Sequence, residues 1–159
     1  MKVKGEKIVL DDLDWKILHA LQENSRQTYT EIGRRLGVAH STIYDRIKRL
    51  EEKKVIEKYT AIINREKVGM KYVTAIMTIF TNPKESENVA EQLAEYNEVL
   101  EVSTSLSEEL LIIVKVVAED REKLHSFIAR SVAPLPGVLR IRTSIITRKF
   151  KEEGFSVKK

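Results

Sequence analysis

The sequence predicts an α+β chain in two parts, a helical N-terminal third and a sheet-forming remainder. Three observations predict it. Apolar residues recur at helical spacing over residues 8–64. From Tyr72 onward, alternating β-branched and aromatic stretches are interrupted by two helical ones. Between them, Asn64–Lys71 is polar and carries Gly69, as a connector would. The expected organisation is 1–64, a linker at 65–71, a second domain over 72–151 and a tail at 152–159.

Each helix of the first part announces its start. Leu10, Leu13, Ile17, Leu18 and Leu21 form one stripe ending near Asn24. Asp11 is placed to cap that helix, with Asp14 three residues on. Leu10 and Trp15 are spaced for a hydrophobic staple. Thr28 and Glu31 form a capping box for a second helix, which Gly37 stops. Ser41 reads as the cap of a third, with Ile43, Ile47 and Leu50 buried. Val55–Ile63 then reads as a strand, either a small wing beside the helices or an extension toward the next domain.

The second part reads strand, helix, strand, strand, helix, strand. The strands are Tyr72–Thr81, Val99–Ser105, Glu109–Val117 and Val138–Phe150. The helices are Lys84–Tyr96, with Val89, Ala90, Leu93 and Ala94 inward, and one capped by Asp120 carrying Leu124, Phe127 and Ile128. Pro134-Leu135-Pro136-Gly137 ends the latter. This order is the ferredoxin-like βαββαβ unit.

Composition removes several function classes. The 159 residues include no cysteine, which excludes disulfides and thiolate metal sites. Three scattered histidines, His19, His40 and His125, speak against a metal site. No apolar run is long enough for a membrane span, and the start lacks a signal-peptide core, so the chain reads as cytoplasmic. The net charge of +4 is concentrated: Arg34–Lys58 holds eight basic side chains against four acidic ones.

That basic segment contains the strongest motif. Two short helices joined by Gly37-Val38-Ala39, the second with a polar and basic outer face, have the form of a helix-turn-helix, here of winged type. Gly33 fits, because a mid-helix glycine costs about 1 kcal/mol relative to alanine unless a close contact requires it. The first turns of the second helix meet base edges, so Ser41, Thr42, Asp45 and Arg46 are the base-reading candidates. Arg46 is suited to fork onto guanine, and Asp45 to accept from cytosine or to hold Arg46. Arg34, Arg35, His40, Tyr44, Lys48 and Arg49 are suited to the DNA backbone. Double-stranded DNA is the expected partner, with no metal, cofactor or membrane.

The run Leu10-Asp11-Asp12-Leu13-Asp14-Trp15-Lys16-Ile17-Leu18 resembles the opening of the Lrp/AsnC (leucine-responsive, feast/famine) transcription regulators. So do Ser41-Thr42-Ile43-Tyr44-Asp45-Arg46-Ile47-Lys48-Arg49-Leu50-Glu51, Val55-Ile56, and Leu135-Pro136-Gly137-Val138 with Thr143. The resemblance runs from about Val9 to Lys151. It implies a homodimer formed through the second domain, assembly to tetramers or octamers, and a pseudo-palindromic operator. It also implies an amino-acid effector near the turn between the second and third strands, which brings in Ser105, Ser107, Glu108 and Glu109.

The chain departs from the family pattern twice. Lys54 stands where a glycine usually precedes the Val-Ile pair. Ser107-Glu108-Glu109-Leu110-Leu111 lacks the glycine and aspartate that usually mark the effector turn, leaving Glu108 or Glu109 as the acidic partner. Two other readings share the fold: an enzyme resembling sirohaem decarboxylases, and a weakly specific, chromatin-like DNA binder. The enzyme would need more than the single His125 in the second part and has no use for a basic recognition helix.

Overall fold

The computed structural model of the chain describes residues 8–64, 67–106 and 110–151. These form two compact units that divide between Ile62 and Ile63.

The first unit holds α1 (Asp12–Glu23), α2 (Tyr29–Leu36) and α3 (His40–Glu52). The first two start where their caps require. Asp11 accepts from the Asp14 backbone N–H while the Asp14 carboxylate accepts from the Asp11 N–H. Thr28 and Glu31 make the same reciprocal pair. Gly37 ends α2 in the left-handed conformation, φ 69°. Ile17, Ala20, Leu21, Ile32, Ile43, Ile47 and Leu50 bury together as the unit's core.

Two expectations need correction here. Ser41 does not cap α3. The cap position is Ala39, which has no side-chain acceptor, and Ser41 lies one turn-position inside the helix. The tight turn after Gly37 brings the chain into helical geometry two residues earlier than the serine preference indicates. The second correction is the strand expected over 55–63, which is not formed. Val55 and Ile56 fold back to bond the Leu50 carbonyl, and Tyr59 donates to Glu51 at 2.9 Å. Ile62 and Ile63 are exposed. Alternation marks a segment able to form a strand, but a strand needs a ladder partner, and none is paired with it among the described residues.

The second unit contains a four-stranded antiparallel sheet in the order β2-β3-β1-β4. The strands are β1 (Val73–Thr81), β2 (Val99–Leu106), β3 (Leu110–Ala118) and β4 (Val138–Ile145). Helices α4 (Ser86–Ala94) and α5 (Arg121–Phe127) cover one face. Ala75, Met77 and Ile79 of β1 and Ile112, Val114 and Val116 of β3 point into that core, beneath Val89, Leu93, Leu124 and Phe127. Ala94, expected inward, is exposed. β4 ends five residues before the expected Phe150.

Sequence patterning did not reveal that α5 passes directly into a π-helical turn, Ile128–Val132. Gly137 then turns the chain into β4 at φ 92°. A side chain there would fall 2.3 Å from the Glu85 Cβ, so only glycine fits.

Candidate nucleic-acid interface

The α2–turn–α3 segment is held by close backbone packing. A Cβ on Gly33 would lie 2.5 Å from the Val38 carbonyl oxygen, and the Val38 N–H donates to the Gly33 carbonyl at 2.9 Å. The glycine therefore lets the turn close on α2, and this contact sets where α3 begins.

Around α3 the side chains sort into three lines. Ile43, Ile47 and Leu50 face the core. Ser41, Asp45 and Lys48 form an exposed line on the outer side, with exposed His40 and Tyr44 beside it. The Ser41 hydroxyl, released from capping, has no hydrogen-bond partner among the described residues. Tyr44 packs edge-on against Tyr29 with ring centroids 5.7 Å apart, which steadies its position. Lys48 has only a loose contact with Glu52 at 4.0 Å, a surface pair of small energetic weight.

The third line, Thr42, Arg46 and Arg49, faces sideways. Thr42 and Arg46 are partly covered. Arg46 is bonded to the carboxylates of both Asp11 and Asp14, the latter at 3.1 Å. Arg49 bonds the other Asp14 oxygen at 2.5 Å. The Asp14 side chain is 0% exposed, and three donors surround it: Arg46, Arg49 and the Asp11 N–H. A buried carboxylate needs such a set to offset lost hydration. The partner of Arg46 is therefore α1, not Asp45, and the guanidinium expected on guanine is occupied within the protein.

The backbone candidates divide likewise. Arg34 and His40 are exposed. Arg35 is paired with Glu23 of α1 at 2.5 Å. These ion pairs leave an electrical signature. The hydrogen bond from Arg46, then that from the Asp14 N–H, hold the Asp11 carboxyl down at about 2. Arg35 likewise lowers Glu23. Asp14 and Asp11 are the functional residues that sequence reading missed as partners of α3. Their first-turn positions advertise a cap, and nothing local advertises contacts more than thirty residues away.

In the second unit, Ser105 lies near the end of β2, opposite Leu111. Ser107, Glu108 and Glu109 fall outside the described residues. At the other end of the sheet, an open cleft of about 810 Å³ is lined by Tyr72, Glu98, Lys123, Phe127 and Arg130 among others. Ser105 is not part of it. No group of three or more potential metal ligands occurs among the described residues, and none of their helices is long and apolar enough to cross a membrane.

A helix-turn-helix with an exposed polar recognition face, followed by a βαββαβ unit, defines a class of DNA-binding regulators. The AsnC-type helix-turn-helix domain matches residues 10–51, and the Lrp/AsnC ligand binding domain matches residues 74–154. The transcriptional regulator Ptr1 of Methanocaldococcus jannaschii is 33% identical over 91% of this chain and 96% of its own. The regulator LrpA of Pyrococcus horikoshii is 35% identical over 90% of this chain and all of its own. A Neisseria meningitidis transcriptional regulator, solved with L-methionine, is 25% identical with a TM-score of 0.78, covering 91% and 94% of the two chains. Escherichia coli AsnC shares the fold, with a TM-score of 0.82 at 20% identity over 94% and 99% of the chains. The chain belongs to the Lrp/AsnC family of DNA-binding transcriptional regulators. Its relatives are transcription factors, and the enzyme reading is set aside.

Proposed function

We propose that the protein is a cytoplasmic regulator that reads a pseudo-palindromic operator as a homodimer, with α3 in the major groove. The single observation that carries this reading is the exposed line Ser41, Asp45 and Lys48 on the outer side of α3. In it Ser41 and Asp45 read base edges, with Thr42 at the rim, and Lys48 takes a phosphate. His40, Tyr44 and Arg34 supply further backbone contacts. Arg46 is reassigned from base reading to the support of α3, and Arg35 and Arg49 contribute less to phosphate binding than unpaired side chains would.

Dimerisation is supported by the face of the sheet opposite α4 and α5. Cross-strand rows there run Ser105, Leu111, Phe80, Arg140 and Ser103, Ile113, Thr78, Arg142. Each has a less polar centre between serine and arginine edges, and Arg140 lies 3.9 Å from the Phe80 ring centre. A second copy of the chain covers this face, and dimers assemble further into tetramers or octamers. An amino-acid-like effector binds near the β2–β3 turn, beside Ser105, Ser107, Glu108 and Glu109. The methionine complex of the Neisseria regulator supports an effector of that size.

Two substitutions test the DNA reading. Asp45→Ala should lower discrimination between operator and random duplex at least tenfold. Lys48→Ala should weaken binding to all duplexes alike and flatten the salt dependence by about one unit. Loss of both affinities in equal proportion with Asp45→Ala, or an unchanged slope with Lys48→Ala, contradicts the assignment. A protein that binds all sequences equally is the chromatin-like alternative.

A further inference from the structure

We propose that Asp14, aided by Asp11, is a specificity-determining positioning residue that withholds the Arg46 and Arg49 guanidiniums from DNA. The geometry is specific. One fully buried carboxylate on α1 grips two arginines of the recognition helix, one through each oxygen. Asp11 holds Arg46 from the outer side, and the Asp11 N–H completes the shell. Arg46 and Arg49 lie one turn apart on α3, so the grip fixes both the rotation and the tilt of that helix against α1.

Two consequences follow. The line Ser41, Asp45 and Lys48 is aimed outward because the neighbouring line is tied inward. The charge available to DNA is also lower than the sequence shows. Of the eight basic side chains between Arg34 and Lys58, Arg35, Arg46 and Arg49 are neutralised by acids of α1. Phosphate attraction carries no sequence information, so every arginine withheld from it lowers random binding relative to operator binding. The clamp therefore gives up affinity and gains discrimination.

The test uses the full chain, an operator duplex and a random duplex, each titrated over a range of salt. Asp14→Asn keeps the shape and releases the arginines. It should raise random-duplex affinity at least threefold and steepen the salt slope by one to two units, about 0.9 per added phosphate contact. The operator-to-random ratio should fall at least tenfold. Parallel loss of both affinities at an unchanged slope would make Asp14 a structural support only and overturn the proposal.

Asp11→Asn keeps the test decisive if Asp14→Asn fails to fold, because asparagine caps a helix as well as aspartate does. It should steepen the slope by up to one unit, and an unchanged slope would overturn the proposal. Adding Arg46→Gln to Asp11→Asn should restore the wild-type slope. A gain that survives the loss of Arg46 would reflect mere removal of negative charge, and would overturn the proposal too. The proposal rests on DNA binding by this unit. A wild-type chain that bound no duplex would overturn both, whereas the outcomes above overturn the clamp alone.

Discussion

Gly33 and Val38 meet so closely that a single methyl group on the glycine would lie 2.5 Å from the Val38 carbonyl oxygen. Helix propensity alone would reward Gly33→Ala by about 1 kcal/mol. The opposing atom is backbone, so it cannot rotate away, and the clash decides the sign. Gly33→Ala should destabilise the first unit by about 1–3 kcal/mol, as overpacking does elsewhere. Chemical unfolding followed by the fluorescence of Trp15, the chain's one tryptophan, measures it. Equal or greater stability would show that the turn can open at no cost.

Lys54 is the converse case. It is the only non-glycine residue with positive φ among those described, at 57°. Its N–H bonds the Glu51 carbonyl, and the next two N–H groups return to Leu50, so the conformation is required to end α3. An L-residue there carries a left-handed penalty that glycine escapes. Lys54→Gly should stabilise the unit by about 1 kcal/mol and raise the melting temperature. A lowered melting temperature would show that the lysine side chain contributes more than its backbone costs.

Some of this was legible in the sequence and some was not, for physical reasons. The Asp11 and Thr28 caps, the Gly37 stop and the core stripe of α3 depend on neighbours within one or two turns, and spacing reveals them. The strand–helix order of the second unit was legible for the same reason. Two expectations failed for different reasons, one for want of a non-local partner and one because of the backbone just before it. Val55–Ile63 has strand character but no ladder, and Ser41 yields the cap position to Ala39 because of the turn before it. Arg46 has the composition of a base reader, yet its neighbours in space come from α1, which sequence spacing cannot display. The Lys54 departure was visible as a missing glycine, and the structure supplies its backbone cost.

The α1–α3 clamp also predicts an acid limit. The Asp11 carboxyl is held at about 2, below its ordinary 3.8, first by the Arg46 hydrogen bond. For a depressed carboxyl, the stabilisation is full above the unfolded value and is lost as pH falls through the folded one. The first unit should therefore lose stability between about pH 4 and pH 2. Asp11→Asn should remove this part of the loss when unfolding is followed at Trp15 in that range. An identical acid profile for both proteins would contradict the Asp11–Arg46 pairing.

The central claim is that the exposed side of α3 reads sequence, and selection from a random duplex pool tests it most directly. Wild-type protein should enrich one inverted-repeat motif, with half-sites about 10 base pairs or a multiple apart. Protein carrying Ser41→Ala and Asp45→Ala together should still retain DNA but lose that motif. Enrichment of the same motif by both proteins, or of none by the wild type, would contradict the account.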